Sequence, residues 1–229
     1  MRKLVIALLV IAGLFVAADR IGAAVADHEV ASRVATAYDL PSEPSVSIQG
    51  FPFLTQAASG NYKQIDVSMA SVSSDGVEIH NLDARFSGVH ASLSAILSHD
   101  PAGITADQVS ASGTIPYSAV QSRVPAGVQV SPDGSDLKLS GTVTSLGVSV
   151  PVSVIASLSV DGSGIVVTPR HFTAGGGFSL PVSLVASHFG FLIPVTGLPL
   201  HLSVTSVGVT PGGVRVSAAA SGVQFAGTA

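Results

Sequence analysis

The chain has 229 residues, 47% hydrophobic and only 10% charged, with ten Lys and Arg against fourteen Asp and Glu. That balance cannot supply the large basic patch of a nucleic-acid binder, and a charge-poor, Val- and Leu-rich chain is the reverse of a disordered one. The absence of Cys excludes disulfides, thiolate zinc sites and thiol nucleophiles, while a mean hydropathy of +0.57 raises the question of membrane spans.

Arg2 and Lys3 precede an uncharged apolar run from Leu4 to Ala18, short against the roughly 20 residues of a spanning helix. It reads as a signal-peptide h-region behind a positive n-region, with Ala24-Val25-Ala26 as an A-x-A-like cleavage site. It reads equally as an uncleaved anchor, because Ile21 to Ala26 resumes apolar after Asp19-Arg20. Under both readings Arg2 and Lys3 stay in the cytoplasm and the rest is exported. Residues 1–26 are thus expected to form a signal peptide or membrane anchor, and residues 27–229 a single β-rich domain. Past Ala26 no stretch of eighteen apolar residues occurs. Without residues 1–26, seven basic and thirteen acidic residues remain, so charge alone would not hold this body to an anionic surface.

Val30, Val34 and Tyr38 have helical spacing between Asp27 and Leu40-Pro41, either as a separate helix or as an extension of the N-terminal one. From Ser45 the period becomes two. Ile65, Val67 and Met69 alternate with Asp66 and Ser68, and Val77 and Ile79 with Glu78 and His80. Leu82, Ala84 and Phe86 follow after a one-residue slip at Asn81, the mark of a bulge. From Leu146 to Val160 every even position is apolar: Leu146, Val148, Val150, Val152, Val154, Ala156, Leu158 and Val160. Pro151 cannot donate to a ladder and marks an edge, a bulge or a bend. Asp161-Gly162-Ser163-Gly164 reads as a hairpin turn into Ile165. Leu198, Leu200, Leu202 and Val204, then Val207 and Val209, repeat the alternation up to a Pro211-Gly212-Gly213 turn. Short helices are predicted over Tyr117–Val124 and Pro181–Leu192, each entered through a proline; the second places Val185, Phe189 and Leu192 at helical spacing.

Little of this carries chemistry. The seven histidines form no ligand spacing, and no H-E-x-x-H, G-x-S-x-G, G-x-G-x-x-G or Walker loop is present. No metal, cofactor or catalytic residue is therefore expected. Asp133-Gly134-Ser135-Asp136 could hold a cation, but Asp-Gly is first a turn signal. Asp66, Glu78 and Asp83 could meet across strands as hydrolytic carboxylates; lacking a motif, solvated charge is the simpler reading. Gly50-Phe51-Pro52-Phe53-Leu54 stands outside any alternating pattern. It is either a hydrophobic plug closing the core or an apolar lip for an acyl chain or a membrane surface.

That run, continued as Thr55-Gln56 and followed by Gly60-Asn61-Tyr62, resembles the signature of the LmeA-like family of actinobacterial cell-envelope phospholipid-binding proteins. Ala18-Asp19-Arg20 at the end of the apolar segment, Gly197-Leu198-Pro199-Leu200-His201-Leu202 and Gly213-Val214-Arg215-Val216 are similar to it as well. The resemblance implies an exported, non-enzymatic protein that binds phospholipid or a lipid precursor and supports envelope glycolipid assembly of the lipomannan type. It also implies an α+β fold, mainly antiparallel β, with a long curved sheet wrapped around a helix. That arrangement resembles tubular lipid-binding (TULIP-like) folds, preceded here by the N-terminal apolar helix.

The strand pattern leads independently to a related expectation. A long aliphatic face with no Trp and few Phe to fill it would leave an elongated groove suited to acyl chains. Its expected lining is Phe51, Phe53, Leu54, Leu146, Val148, Val150, Val152, Val154, Leu158, Phe189, Leu192, Leu200 and Leu202. The expected partners are phospholipid or another acyl-chain lipid and a membrane surface, on the extracytoplasmic side. The competing reading is a structural or adhesive envelope β-sandwich whose apolar faces pack together without a ligand.

Overall fold

The computed structural model describes residues 2–37, 39–74, 77–92, 103–145, 148–162, 164–177, 181–195 and 198–225. The apolar segment and the Val30/Val34 stretch form one continuous helix, α1 (Arg2–Ala37). The extension is the reading that holds, with Tyr38 outside the described residues. Among the described residues eleven strands follow: β1 (Ser45–Gln49), β2 (Asn61–Ser74), β3 (Val77–Ala91), β4 (Ile104–Pro116), β5 (Gln129–Asp133), β6 (Asp136–Ser145), β7 (Val148–Asp161), β8 (Gly164–Ala174), β9 (Phe191–Pro194), β10 (Ser203–Thr210) and β11 (Gly213–Gln224). Among the described residues, three short helices interrupt them: α2 (Phe53–Ser59), α3 (Tyr117–Gln121) and α4 (Val182–Phe189). The fold is α+β with two antiparallel sheets. Their orders are β1-β2-β3-β4-β11-β10 and β5-β6-β7-β8-β9.

By its internal contacts the chain divides into two units. The first comprises residues 1–69, 83–110 and 220–229, and the second residues 70–82 and 111–219.

In the first unit, β1 pairs with β2 through Val46↔Val67 and Ile48↔Ile65. Ile48, Phe53 and Ala23 of α1 make a small buried cluster, with Ala26, Ala57, Tyr62 and Ile65 packed against it. The alanines on α1 let its backbone come close to the strand, where larger side chains would hold it off.

The second unit has a larger core. Its strands present rows of aliphatic side chains across the sheet: Leu139↔Val154↔Phe172, Leu137↔Ala156, Leu158↔Val167↔Phe191 and Val160↔Ile165↔Ile193. Leu137, Leu139, Val143, Val150, Val152, Val154, Val167, Val185 and Phe189 belong to one buried cluster. Because side chains alternate across a pleated strand, the even positions of β7 lie on one face, as the alternation predicts. Phe189 seats α4 on this sheet over Gly141, where a Cβ would come within 3.3 Å of the ring.

The turns fall where the sequence places them. Asp161↔Gly164, Asp133↔Asp136 and Thr210↔Gly213 close three hairpins, so Asp133-Gly134-Ser135-Asp136 is a turn. Asn81, at the expected slip, has a left-handed φ of 49°. Pro151 pairs with Thr142 of β6, while pairing of β7 with β8 begins only at Val152↔Ala174. The proline thus stands where β7 has one neighbour; the irregularity lies instead between Ile155 and Ala156, where Arg170 of β8 is the extra residue.

Two expectations are corrected. The helix predicted to reach Leu192 stops at Phe189, and Leu192 lies in β9 opposite Val166. Strand alternation then turns Phe191 and Ile193 to the core and leaves Leu192 45% exposed. The strand read from Leu198 begins at Ser203, because residues 199–201 form a single 3₁₀ turn in which Leu200 and His201 take left-handed φ values of 57° and 54°.

Candidate functional site

The Gly50–Gln56 run folds onto α1 as a hydrogen-bonded lock in the first unit. Asp19 projects from α1 and is fully buried. One of its carboxylate oxygens accepts the Leu54 N–H at 2.8 Å, and the other accepts the Arg20 guanidinium at 2.6 Å. Leu54 is the second residue of α2, so Asp19 caps that helix from outside it. It thereby satisfies an N-terminal donor that Pro52, the residue before α2, leaves free. Arg20 also donates to the Gly50 carbonyl at 3.3 Å, and its guanidinium lies 5.2 Å from the centre of the Phe51 ring, within cation–π range.

Each remaining residue of the run has a place. Gly50 takes φ 110°, and a Cβ there would meet the Gln56 amide at 2.8 Å. Phe53 is buried beside Ala23 and Ile48, and its ring centroid is 6.4 Å from that of Tyr62. Thr55 Oγ1 donates to the Pro52 carbonyl at 2.9 Å. The buried Gln56 amide donates to the Gln49 carbonyl at 3.3 Å and accepts the Lys63 N–H at 2.9 Å, tying the end of β1 to the start of β2. Further along α1, Asp27 accepts the Ile48 N–H at 2.8 Å. Phe51 and Leu54 remain 55% and 38% exposed, and Leu54 lies against Gly22. The run is therefore plug and surface at once: Phe53 fills the core, while Phe51 and Leu54 face outward.

The other expected lining residues separate into three groups. Val150, Val152, Val154 and Phe189 lie in the packed cluster of the second unit, with Leu158 half-buried against it. Val148 and Leu192 are exposed at 48% and 45%, and Leu200 and Leu202 are half-buried around the 3₁₀ turn. Leu146 lies outside the described residues. An open recess of about 370 Å³ borders Val152, but Ser140, Gly141, Pro151, Ser153, Thr173, Ala174 and Gly175 supply most of its wall.

The polar candidates do not converge. Asp66 binds Arg85 at 2.9 Å and the Gln64 amide, Glu78 meets His80 at 3.1 Å, and Asp83 is exposed. His90 Nδ1 lies 2.7 Å from Asn61 Oδ1, and Nε2 lies 3.4 Å from Asp107. Among the described residues no group of three or more His, Asp or Glu is placed to hold a metal. Burial raises the Tyr62 and Tyr117 hydroxyls above the ordinary tyrosine range; the Tyr117 hydroxyl donates to the Thr210 carbonyl at 2.6 Å.

Sequence reasoning missed the inward side chains of β6 (Leu137, Leu139 and Val143), Phe191 and Ile193, and the bridging amides of Gln56 and Gln121. Leu137, Leu139 and Val143 alternate across β6 as the residues of β7 do, and that signal was available. The amides had none, because a buried glutamine is recognised only by the backbone groups it meets.

No curated protein and no solved structure matches the chain. The model of a family of LmeA-like phospholipid-binding proteins matches residues 17–219, a span that opens two residues before Asp19 and takes in the lock and both sheets up to the middle of β11. The chain belongs to the LmeA-like phospholipid-binding family.

Proposed function

We propose that the protein is an exported cell-envelope component that binds a phospholipid or lipid precursor through its acyl chains and supports envelope glycolipid assembly of the lipomannan type. The observation that carries this reading is the family match over residues 17–219, the one finding that names a ligand class. Arg2-Lys3 ahead of an apolar helix supports export. The aliphatic rows of the second unit support acyl-chain binding, with the half-buried Leu158, Val160, Phe191 and Ile193 continuing the fully buried part of the ladder. Each methylene placed there is worth about 0.8 kcal/mol, so ten would contribute roughly 8 kcal/mol before ordering costs, without a charged headgroup clamp.

Native mass spectrometry of the full chain purified from its host membranes tests the proposal. A phospholipid at defined stoichiometry, displaced by competing acyl lipid, is the expected result. A lipid-free protein that takes up none from vesicles would overturn it. The close packing of Val150, Val152, Val154 and Phe189 favours a second reading, a structural envelope protein with a dry core; the lipid-free outcome would select it.

A further inference from the structure

The lock changes what the N-terminal helix presents to its surroundings. Read from sequence, Asp19-Arg20 ends an apolar run of fifteen residues, Leu4 to Ala18. At 1.5 Å per residue that is about 22 Å, well short of a hydrocarbon core of about 30 Å. In the structure Asp19 has no exposed surface: the Phe51–Leu54 turn covers it, Arg20 forms an ion pair with it and the Leu54 N–H donates to it. The apolar surface then resumes on the helix at Ile21 and Val25, 66% and 65% exposed, with Phe51 and Leu54 beside Arg20 and Gly22. From Leu4 to Val25 the helix runs twenty-two residues, about 33 Å, which matches the bilayer core. Arg20, half exposed, keeps its guanidinium on Asp19, the Gly50 carbonyl and the Phe51 ring, so the cation in this stretch is paired.

We propose that α1 is retained as a membrane anchor spanning Leu4 to Val25, and that the Phe51–Leu54 turn is seated in the outer leaflet of that same phospholipid bilayer. The turn converts a helix interrupted by a carboxylate into a continuous apolar span. Cleavage after Ala26 would remove Asp19, which the Leu54 N–H bonds to, and Ala23, which Phe53 and Ile48 pack on, leaving only the Asp27 bond to Ile48. The family match includes residues 17–26, the part that cleavage would discard. This inference deepens the exported reading above, yet it stands or falls independently of whether the second unit holds a lipid.

Because the chain has no cysteine, single reporters can be placed in the full-length protein. Phe51→Cys, Leu54→Cys and Ser45→Cys, the last exposed at the far end of β1, are labelled with an environment-sensitive fluorophore. The labelled proteins are then reconstituted in phosphatidylcholine–phosphatidylglycerol vesicles. The expected result is blue-shifted emission at 51 and 54, quenched several-fold more strongly by doxyl-labelled lipid than at 45. Equal, water-like emission at all three positions would overturn the seating of the turn. The unsubstituted protein provides the second measurement. Mass spectrometry of its N-terminus in host membranes should find residues 4–25 present, and a mature chain starting near Asp27 would overturn the anchor. Neither readout depends on lipid stoichiometry, so failure here is distinguishable from failure of the lipid-binding reading.

Discussion

Helices α2 and α3 invite comparison, because each is entered through a proline and carries a glutamine that clamps nearby backbone. In the first unit Gln56 joins the Gln49 carbonyl to the Lys63 N–H. In the second, Gln121 donates to the Val128 carbonyl at 2.6 Å and accepts the Val130 N–H at 2.9 Å. Their surroundings differ. Helix α2 rests on a small cluster of Ala23, Ile48 and Phe53 and is tied to α1 by Asp19, with Asp27 tying β1 to the same helix. Helix α3 seats Val120 in the large aliphatic cluster that Leu137, Leu139, Val154 and Phe189 dominate. The second unit is held by buried area, at about 1.5–3 kcal/mol per large apolar side chain. The first depends on directional bonds, each worth about 1 kcal/mol net but costly when one partner is removed.

The sharpest way to break this contrast is Val154→Asp. A carboxylate with no partner in the buried ladder should cost several kcal/mol, abolishing cooperative melting of the second unit by circular dichroism. Wild-type melting would show that the ladder opens to solvent or ligand. Phe189→Ala should destabilise by about 3–5 kcal/mol through the cavity left over Gly141, measured by urea unfolding. Gln56→Ala leaves the Gln49 carbonyl and Lys63 N–H unpaired and should cost about 1–3 kcal/mol. Its faster hydrogen exchange should be confined to β1, α2 and the start of β2; exchange that rises equally in β6 and β7 would contradict independent means of support.

Leu158→Ser tests the proposed acyl surface with less damage to the core. The expected effect is about tenfold weaker lipid retention, equivalent to about 1.4 kcal/mol, with melting little changed; undiminished retention would remove Leu158 from that surface. The smallest effect concerns pH. Burial raises the Tyr62 and Tyr117 hydroxyls in the folded state, so their contribution to stability is complete below the ordinary tyrosine value of about 10. It is lost as pH rises through the higher folded values. Ultraviolet titration should place both ionisations above that of free tyrosine, and Tyr117→Phe should remove one of them.

Much of the second unit was legible. The even-position run through β7 identifies an inward face because strand side chains alternate, and Asp-Gly and Pro-Gly turns set the register of its hairpins. Leu192 was misplaced because a spacing of three from Phe189 fits a helix as well as the loop and strand that Gly190 introduces. Leu200 and Leu202 fit an alternating strand in sequence because left-handed backbone at Leu200 and His201 leaves no trace in a hydrophobic pattern.

An apolar N-terminal helix, a period-two body with few charges and a Gly50–Gln56 run outside the alternating pattern are legible in the residues alone. Local periodicity and turn chemistry act over a few residues and can be read in one dimension. That Asp19 lies beneath that run, thirty-five positions away from its partner Leu54, and so does not interrupt the apolar surface, follows from the folded chain. Hiding a carboxylate requires donors brought from elsewhere in the chain, and their convergence is a property of the fold.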